Sequence, residues 1–225
     1  MLRCLTFVLV PLDSYMLIDF LSKHPSQRYH TMVQAIVPRP IAWVLTDNGN
    51  ETLNLAPFSY FTAVSSDPAL LMFSAGKKPD GQFKDTVVNA MARQKMVIHI
   101  PSERHASAVT ESSKDLAYGE SELDHLDLEL VTETGWGLPR ISHCDIAMLC
   151  ELYEVKEIGN APQRLVFAEI QQMYVADRVV QEQASKSDAQ QTRLRINAEA
   201  IQPLARLGGG QYAGIGPAFD LPFPR

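Results

Sequence analysis

The chain has 225 residues, of which 46% are hydrophobic and 20% are charged. A chain of this composition can bury a substantial core, in one large domain or two small ones. Its 20 Lys and Arg residues are outnumbered by 26 Asp and Glu residues, so the net charge is -6 and the pI is about 5.5. Binding to a nucleic-acid backbone needs a basic excess, so the composition argues against nucleic acid as a ligand.

The cysteines and histidines do not form a pattern typical of a metal site. Cys4, Cys144 and Cys150 contain no C-x-x-C motif and are odd in number, which argues against a disulfide framework and a structural zinc site. The six histidines form no pair at the spacing of metal ligands, so we predict no metal site. His99, within the apolar run Met96 to Ile100, is interpreted as a buried core histidine. We expect a reducing, cytoplasmic setting.

Residues 1–30 are predicted to form an N-terminal extension that contains a short helix. The apolar run from Leu5 to Val10 ends at Pro11, too soon for the hydrophobic region of a secretory signal. No later segment reaches the roughly 18 apolar residues of a membrane-spanning helix. We therefore expect no association with a membrane.

The first half of the chain reads as short β-strands. An apolar stretch from Ile36 to Thr46 ends at the turn sequence Asp47 to Asn50, which predicts a connection to a second strand from Thr52 to Ser65. The run from Ala69 to Ser74 is apolar throughout and too short for a helix, so it predicts a buried strand.

The remaining predicted elements include one clear helix. Apolar residues recur at helical spacing between Phe83 and Lys95, and Met96 to Ile100 returns to strand character. Two longer strands, Ile146 to Ile158 and Leu165 to Ala176, are separated by a short turn sequence and predict a hairpin. Leu194 to Leu207 is a weak helical stretch.

Many short strands, tight turns and few helices favour a closed or nearly closed antiparallel barrel, because closure removes exposed sheet edges. We predict a mainly β protein with a few helices. Its domain would span residues 31–180, with residues 181–225 as a C-terminal appendage packing on the barrel.

The segment that carries the most chemical information is residues 54–66. Pro57 has no N–H to donate, and a proline inside a strand is tolerated only at a sheet edge or a bulge. Small and aromatic side chains are interleaved around it, which favours a planar heteroaromatic ligand lying on the backbone. On the pattern alone, an ordinary strand with aromatic residues in the core and serines toward solvent is an equal alternative.

Four blocks of sequence, in this order and spacing, resemble the flavin reductase-like family of FMN-binding split-barrel proteins. The resemblance covers about residues 31–180 and continues at residues 206–212. It implies a six-stranded antiparallel split β-barrel of the FMN-binding type and a homodimer with FMN at the subunit interface. The four blocks are Val37 to Val44, Asn54 to Phe61, Ser65 to Pro68, and Lys84 to Thr86.

The resemblance also implies where the flavin would bind. The isoalloxazine ring would lie against the main chain of residues 54–61, with Ser59 and Thr62 as hydrogen-bonding partners. The phosphate would sit at the start of the predicted helix, where free N–H groups and the helix dipole favour an anion. The candidate cofactor-binding residues are Arg39, Asn54, Ala56, Pro57, Phe58, Ser59, Tyr60, Thr62, Lys84, Asp85 and Thr86.

Four of these residues have structural alternatives. Lys84 and Thr86 would contact phosphate, with Asp85 as the helix cap, but without the resemblance the trio reads as an ordinary capped surface helix. Arg39, between two prolines, is either a bidentate partner of phosphate or a carboxylate, or part of a stiff start to a strand. No catalytic side chain is predicted, because the flavin carries out the chemistry.

One departure from the family limits the functional prediction. Many flavin reductases of this family carry a Gly-Asp-His element before the last barrel strand, associated with nicotinamide binding, where this chain has residues 159–164, Gly-Asn-Ala-Pro-Gln-Arg. We predict an FMN-binding oxidoreductase that passes hydride from NADH or NADPH to flavin, with a monooxygenase or another protein as possible electron acceptor. The alternatives are an FMN-binding electron carrier without NAD(P)H oxidase activity and a barrel that binds no flavin.

Overall fold

A computed structural model describes residues 15–160, 162–183 and 193–221. The apolar run from Leu5 to Val10 lies outside the described residues. The longest described helix has 11 residues, and no described helix has the length and hydropathy needed to cross a membrane. The described helices are α1 (Pro25–Ala35), α2 (Asp85–Arg93), α3 (Ala106–Glu111) and α4 (Ala198–Ile201).

The described strands are numbered in chain order. They are β1 (Arg39–Pro40), β2 (Ala42–Asp47), β3 (Leu53–Phe58), β4 (Phe61–Ser66), β5 (Ala69–Ala75), β6 (Lys95–Ile100), β7 (Leu130–Val131), β8 (Arg140–Ile141), β9 (Ile146–Ile158), β10 (Gln163–Val175), β11 (Val180–Gln183), β12 (Arg193–Ile196), β13 (Ala205–Arg206) and β14 (Tyr212–Ala213). The predicted buried strand, amphipathic helix and long hairpin are confirmed as β5, α2 and the pair β9 and β10.

The main sheet has seven antiparallel strands in the order β3, β2, β6, β9, β10, β5, β4. Its two outermost strands, β3 and β4, are joined by only Ser59 and Tyr60. The opposite edges of the sheet must therefore approach each other, so the sheet curls into a barrel that stays split between β3 and β4. The predicted split barrel is confirmed.

The strand count differs from the expected six because the strand predicted from Thr52 to Ser65 is broken. Before Ser59 the chain pairs with β2 at one edge of the sheet, and after Tyr60 it pairs with β5 at the other edge. The Tyr60 carbonyl already accepts a hydrogen bond from the Ser74 N–H of β5 at 2.8 Å. One continuous stretch of strand-forming sequence thus supplies both edges of the split.

The sheet has an apolar cluster on each face. The cluster inside the barrel includes Val44, Phe73 and Ile98, and α2 adds Val87 to it. The cluster on the outer face lies under the segment from residue 102 to 144 and includes Trp43. Along β2 and β6 the sheet therefore packs against apolar side chains on both of its faces.

His99 is a buried core histidine, as predicted. Its Nδ1 lies 3.0 Å from the carbonyl oxygen of Trp43, and its Nε2 accepts a hydrogen bond from the Ile141 N–H at 3.0 Å. Burial lowers the pKa of His99 to about 4, so the ring is neutral at pH 7. The Trp43 indole N–H donates to Ser112 Oγ at 2.9 Å, which makes Trp43 a core residue.

The C-terminal segment differs from its predicted helix. Within Leu194 to Leu207 only α4 is helical. Residues 193–196 pair with β11 instead, and Ala205 and Arg206 pair with β1. Strand pairing overrides the weak helical pattern here, because main-chain hydrogen bonds to distant strands outweigh a marginal local propensity. The resulting small sheet, in the order β1, β13, β14, places Arg39 opposite Arg206 and Arg206 opposite Tyr212.

Candidate functional site

The open side of β3 forms one wall of the candidate site. As an edge strand, β3 accommodates Pro57 as predicted. On the side away from β2, the Leu53 carbonyl accepts a hydrogen bond from the Ser121 hydroxyl, and the Leu55 N–H donates to Glu122 Oε2 at 2.8 Å. Main-chain groups of a strand alternate between its two sides, so Pro57 faces the same side as Leu55. The side-chain hydrogen bonds along the open side of β3 therefore end at Leu55, the last residue that faces this side before Pro57.

A small cavity of about 60 Å³ lies between β3, the start of α2 and residues 112–116. It brings together most of the predicted site residues, and it adds four charged residues that the sequence did not point to: Lys78, Lys114, Asp115 and Glu122. The predicted residues that line it are Asn54, Ala56, Pro57, Phe58, Lys84, Asp85 and Thr86.

The start of α2 offers hydrogen-bond donors to this cavity. Asn54 Nδ2 donates to Thr86 Oγ1 at 2.8 Å, and both side chains are buried. Because the amide occupies a lone pair of this hydroxyl, the Thr86 O–H is left to donate elsewhere. The first N–H groups of a helix have no intrahelical acceptor, so those of Asp85 and Thr86 add to the positive end of the dipole. The arrangement suits an anion.

Asp85 is not the helix cap, contrary to the prediction. Lys84 occupies the cap position with extended backbone and no capping side-chain hydrogen bond, and Asp85 is the first helical residue. The Asp85 carboxylate instead pairs with Lys78 Nζ at 2.6 Å, and both side chains are less than a tenth exposed. A buried carboxylate needs a charge partner, and Lys78 satisfies that need better than the helix amides.

Two lysines hold residues 112–116 against the cavity. Lys84 Nζ pairs with the Asp115 carboxylate, and Lys78 Nζ also donates to the Leu116 carbonyl oxygen at 3.0 Å. Lys84 remains partly exposed, with 29% of its side chain accessible. The Lys84 ammonium thus already holds an anionic oxygen at the mouth of the cavity.

Two larger cavities continue from Pro57 toward the split. One, of about 280 Å³, is lined by Ser59 and Tyr60 together with Gln163, the first residue of β10. The other, of about 200 Å³, is lined by Ser59 together with Arg206 and Tyr212. Pro57 lines all three cavities, so they adjoin one another along the end of β3, and we refer to this row of cavities as the trough.

Two predicted residues lie apart from these cavities. The buried Arg39 side chain donates to three main-chain carbonyls, those of Val33, Ile36 and Leu207, and its Nε lies 3.5 Å from Ser59 Oγ. This arrangement favours the structural interpretation of Arg39. Thr62 is exposed on β4, where its hydroxyl contacts the Ala63 carbonyl at 3.2 Å.

Glu122 is one of the residues of this site that sequence reasoning missed. The pKa of Glu122 is raised to about 7, chiefly by burial and also by the nearby Asp85, although the Leu55 N–H and Lys78 oppose the rise. The contact between Glu122 and β3 spans 67 residues of sequence, so no local pattern could indicate it.

Comparisons with known proteins agree with this architecture. The family model described as "Flavin reductase like domain" matches residues 33–190. An uncharacterised protein of Halalkalibacterium halodurans is 32% identical over 210 residues, covering 92% of this chain and 94% of that protein.

Two solved structures are similar over nearly the whole chain. Nitrilotriacetate monooxygenase component B from Bacillus cereus superposes with a TM-score of 0.80 at 29% identity, covering 92% of this chain and 99% of that chain. The 2-nitrobenzoate 2-nitroreductase NbaA of Pseudomonas fluorescens superposes with a TM-score of 0.78 at 27% identity, covering 93% of this chain and 96% of that chain. The family model matches most of the chain, the Halalkalibacterium halodurans protein is similar over nearly its whole length, and the structure is a split barrel. The chain therefore belongs to the flavin reductase-like family.

Proposed function

We propose that this protein is an FMN-dependent oxidoreductase of the flavin reductase type, which takes hydride from NADH or NADPH. The observation that carries the proposal is the trough along β3. A cavity of about 60 Å³ at a helix N-terminus lies at one end, and a cavity of about 280 Å³ lined by Ser59 and Tyr60 lies beyond Pro57. These dimensions suit a phosphate monoester connected to a planar ring system.

The residues of the trough fit FMN in chemical type. Lys84, Thr86 and the first amides of α2 would hold the phosphate. Ser59, Tyr60 and the open edge of β3 at Pro57 would orient the ring and exclude water from one side of it. When bound, the flavin would supply two-electron chemistry, accepting a hydride from the nicotinamide donor.

The same cavity supports FMN over FAD. The end that faces Lys84 is narrow, and residues 112–116 close it through the Lys84–Asp115 and Lys78–Leu116 contacts. A terminal phosphate fits such an end, whereas a pyrophosphate that continues to adenosine would have to displace this segment.

We further propose a homodimer with flavin at the subunit interface. From Thr62 to Ser66 the side chains of β4 are exposed, including Val64 at 50%. β4 follows directly after the proposed floor for the ring, so a second subunit covering β4 would also close the open side of the trough. An exposed edge strand of this kind is ordinarily paired or covered.

The physiological role we propose is a cytoplasmic supply of electrons to a partner. The similar protein from Bacillus cereus is by name a component of a monooxygenase, so an oxygenase that consumes reduced flavin is a fitting acceptor. NbaA is by name a nitroreductase, so direct reduction of a bound aromatic acceptor is the corresponding one-protein alternative.

An FMN-binding electron carrier without NAD(P)H oxidase activity is the second candidate. The observation in its favour lies at the junction of β9 and β10. Residues 159–164 lack the histidine of many flavin reductases, and Gln163, the first residue of β10, contributes to the ring-sized cavity. Ala161 in this turn lies outside the described residues.

The test begins with an FMN titration, followed by stopped-flow mixing of the FMN-loaded protein with NADH and with NADPH. Bleaching of the flavin absorbance faster than that of free FMN supports the reductase, whereas FMN binding without acceleration by either donor supports the carrier. A protein that takes up no FMN contradicts both.

A matched pair of variants checks the position of the site. Ser59→Asp adds bulk and negative charge to the proposed floor and should weaken FMN binding at least about tenfold, through crowding and charge repulsion. Ser107→Asp makes the same change at an exposed position outside the trough and should leave FMN affinity unchanged. Equal FMN affinity in both variants would mean that the ring binds elsewhere.

A further inference from the structure

Arg206 differs from the other half-buried or buried arginines in having no anionic or carbonyl partner. Its guanidinium lies over the ring of Tyr212, 4.5 Å from the centroid, and within the described residues it makes no ion pair and no side-chain hydrogen bond. By contrast, Arg140 pairs with Glu133 at 2.7 Å, and Arg93 donates to the Asn48 carbonyl at 2.6 Å. A half-buried guanidinium that is stacked on an aromatic ring, faces a cavity and has no acceptor of its own is available to bind an anionic ligand.

The backbone holds Arg206 in a defined position. It lies in β13, in the middle of the small sheet, paired with Arg39 of β1 on one side and with Tyr212 of β14 on the other. The Tyr212 hydroxyl lies 3.1 Å from Thr110 Oγ1 of α3, which fixes the ring beneath the guanidinium. The cation is therefore preorganised, and binding an anion there would need little ordering of the side chain.

The cavity in front of Arg206 adjoins the proposed flavin floor. Its volume is about 200 Å³, and it shares Tyr29, Pro57 and Ser59 with the ring-sized cavity beside Tyr60. It does not include Lys84 or Thr86, the proposed phosphate ligands. A molecule held by Arg206 would thus lie next to the flavin ring rather than at the flavin phosphate.

We propose that Arg206, supported by Tyr212, binds an anionic group of the second reactant, the molecule that exchanges electrons with the flavin. This inference rests on the proposed function. The shared chemistry is a phosphate or a carboxylate, since both match the two-pronged donor geometry of a guanidinium. The phosphates would belong to a nicotinamide nucleotide, and the carboxylate to a small aromatic acceptor.

The test is equilibrium binding of unreactive probes to the FMN-loaded protein, followed by changes in the flavin absorbance spectrum. NAD⁺ and NADP⁺ report a phosphate source, and benzoate reports a carboxylate source. Arg206→Gln, which removes the charge, should weaken the binding of at least one probe about tenfold, and Arg206→Lys should weaken it less. Added KCl should weaken wild-type binding and narrow the difference between wild type and Arg206→Gln.

The controls separate this inference from the proposed function. The FMN dissociation constant of Arg206→Gln should stay within about twofold of the wild-type value, and Lys95→Gln, which removes an exposed charge on β6, should change no probe affinity. Unchanged affinity of Arg206→Gln for all three probes, or no binding of any probe by the wild type, would overturn the inference while leaving FMN binding intact. An equal loss of FMN affinity in Arg206→Gln would overturn it by placing Arg206 on the cofactor itself. A wild-type protein that binds no FMN would instead overturn the proposed function and this inference together.

Discussion

Polar groups at the centre of the sheet and polar groups at its split differ in how their hydrogen bonds are satisfied. Along β2 and β6, both ring nitrogens of His99 and the indole N–H of Trp43 have partners at about 3.0 Å within the chain. At the split, Pro57 has no N–H, and the side-chain hydrogen bonds that cover β3 end just before it. Buried polar groups that only support the fold find partners inside it, whereas a binding site leaves some of its groups free.

Arg39 and Arg206 show this contrast at closest range, because they are direct partners in the pairing of β1 and β13. Arg39 is buried and donates to three carbonyls from other parts of the chain, including Leu207 at 3.0 Å. Arg206 is half-buried and faces a cavity. The same residue type therefore serves the fold on one strand and is available to a ligand on the next. Three variants test this distinction, and the first should show the largest change in free energy.

Replacing Arg39 should have the largest effect on stability. Arg39→Ala leaves the carbonyls of Val33, Ile36 and Leu207 without their donor, and we expect the free energy of unfolding to fall by about 3 kcal/mol. Arg206→Ala removes no hydrogen bond within the described residues, and we expect a loss below about 1 kcal/mol. Urea unfolding of both variants measures the difference. Equal losses would show that the contrast between the two arginines is wrong.

Glu122, which lies between the edge of β3 and the cavity, should make the free energy of unfolding depend on pH. Its ordinary pKa is 4.5 and its folded pKa is about 7, so the folded protein holds this proton more tightly. The contribution of Glu122 to stability is therefore fully present below about pH 4.5 and is lost as the pH rises through 7. We expect a loss on the order of 2 kcal/mol from this group.

The variant Glu122→Gln isolates this effect, because the amide oxygen can still accept from the Leu55 N–H but does not ionise. Urea unfolding at several pH values between 4.5 and 8 should show that the stability of the wild type, relative to that of the variant, declines as the pH rises. His99 contributes in the opposite direction, since its folded pKa is lowered to about 4, and its contribution is lost as the pH falls from 6.5. That contribution is common to both proteins and cancels in the comparison. Identical pH profiles would contradict the prediction.

Lys84→Ala should produce the smallest of the three effects, on the affinity for FMN. Losing one partly exposed charge contact to phosphate should raise the FMN dissociation constant about tenfold, or about 1.4 kcal/mol. The affinity for riboflavin, which lacks the phosphate, should not change. Lys156→Ala, at an exposed position of β9, is the control. A tenfold loss for riboflavin as well would place Lys84 beside the ring rather than at the phosphate.

Several features of the fold and the site could be predicted because they depend on neighbours along the chain. The apolar run of β5 and the helical period of α2 identify these elements directly. The missing N–H of Pro57 requires a sheet edge wherever that strand lies, which the position of β3 confirms. The blocks around Asn54 and Lys84 meet at one cavity, as the family resemblance implied.

Other features depend on contacts that no local pattern encodes. The break at Ser59 arises because the barrel closes there, and the Asp85 carboxylate pairs with Lys78 instead of capping α2. Glu122 reaches β3 across 67 residues, and Arg39 reaches Leu207 across 168.

Local residue patterns thus specify the kinds of elements and the backbone that had to stay unpaired, since periodicity and the chemistry of proline act over a few residues. Which charged groups are satisfied and which are free depends on contacts between distant segments. Whether a guanidinium or a carboxylate has a partner depends on which distant segments the closing barrel brings within about 3 Å of it.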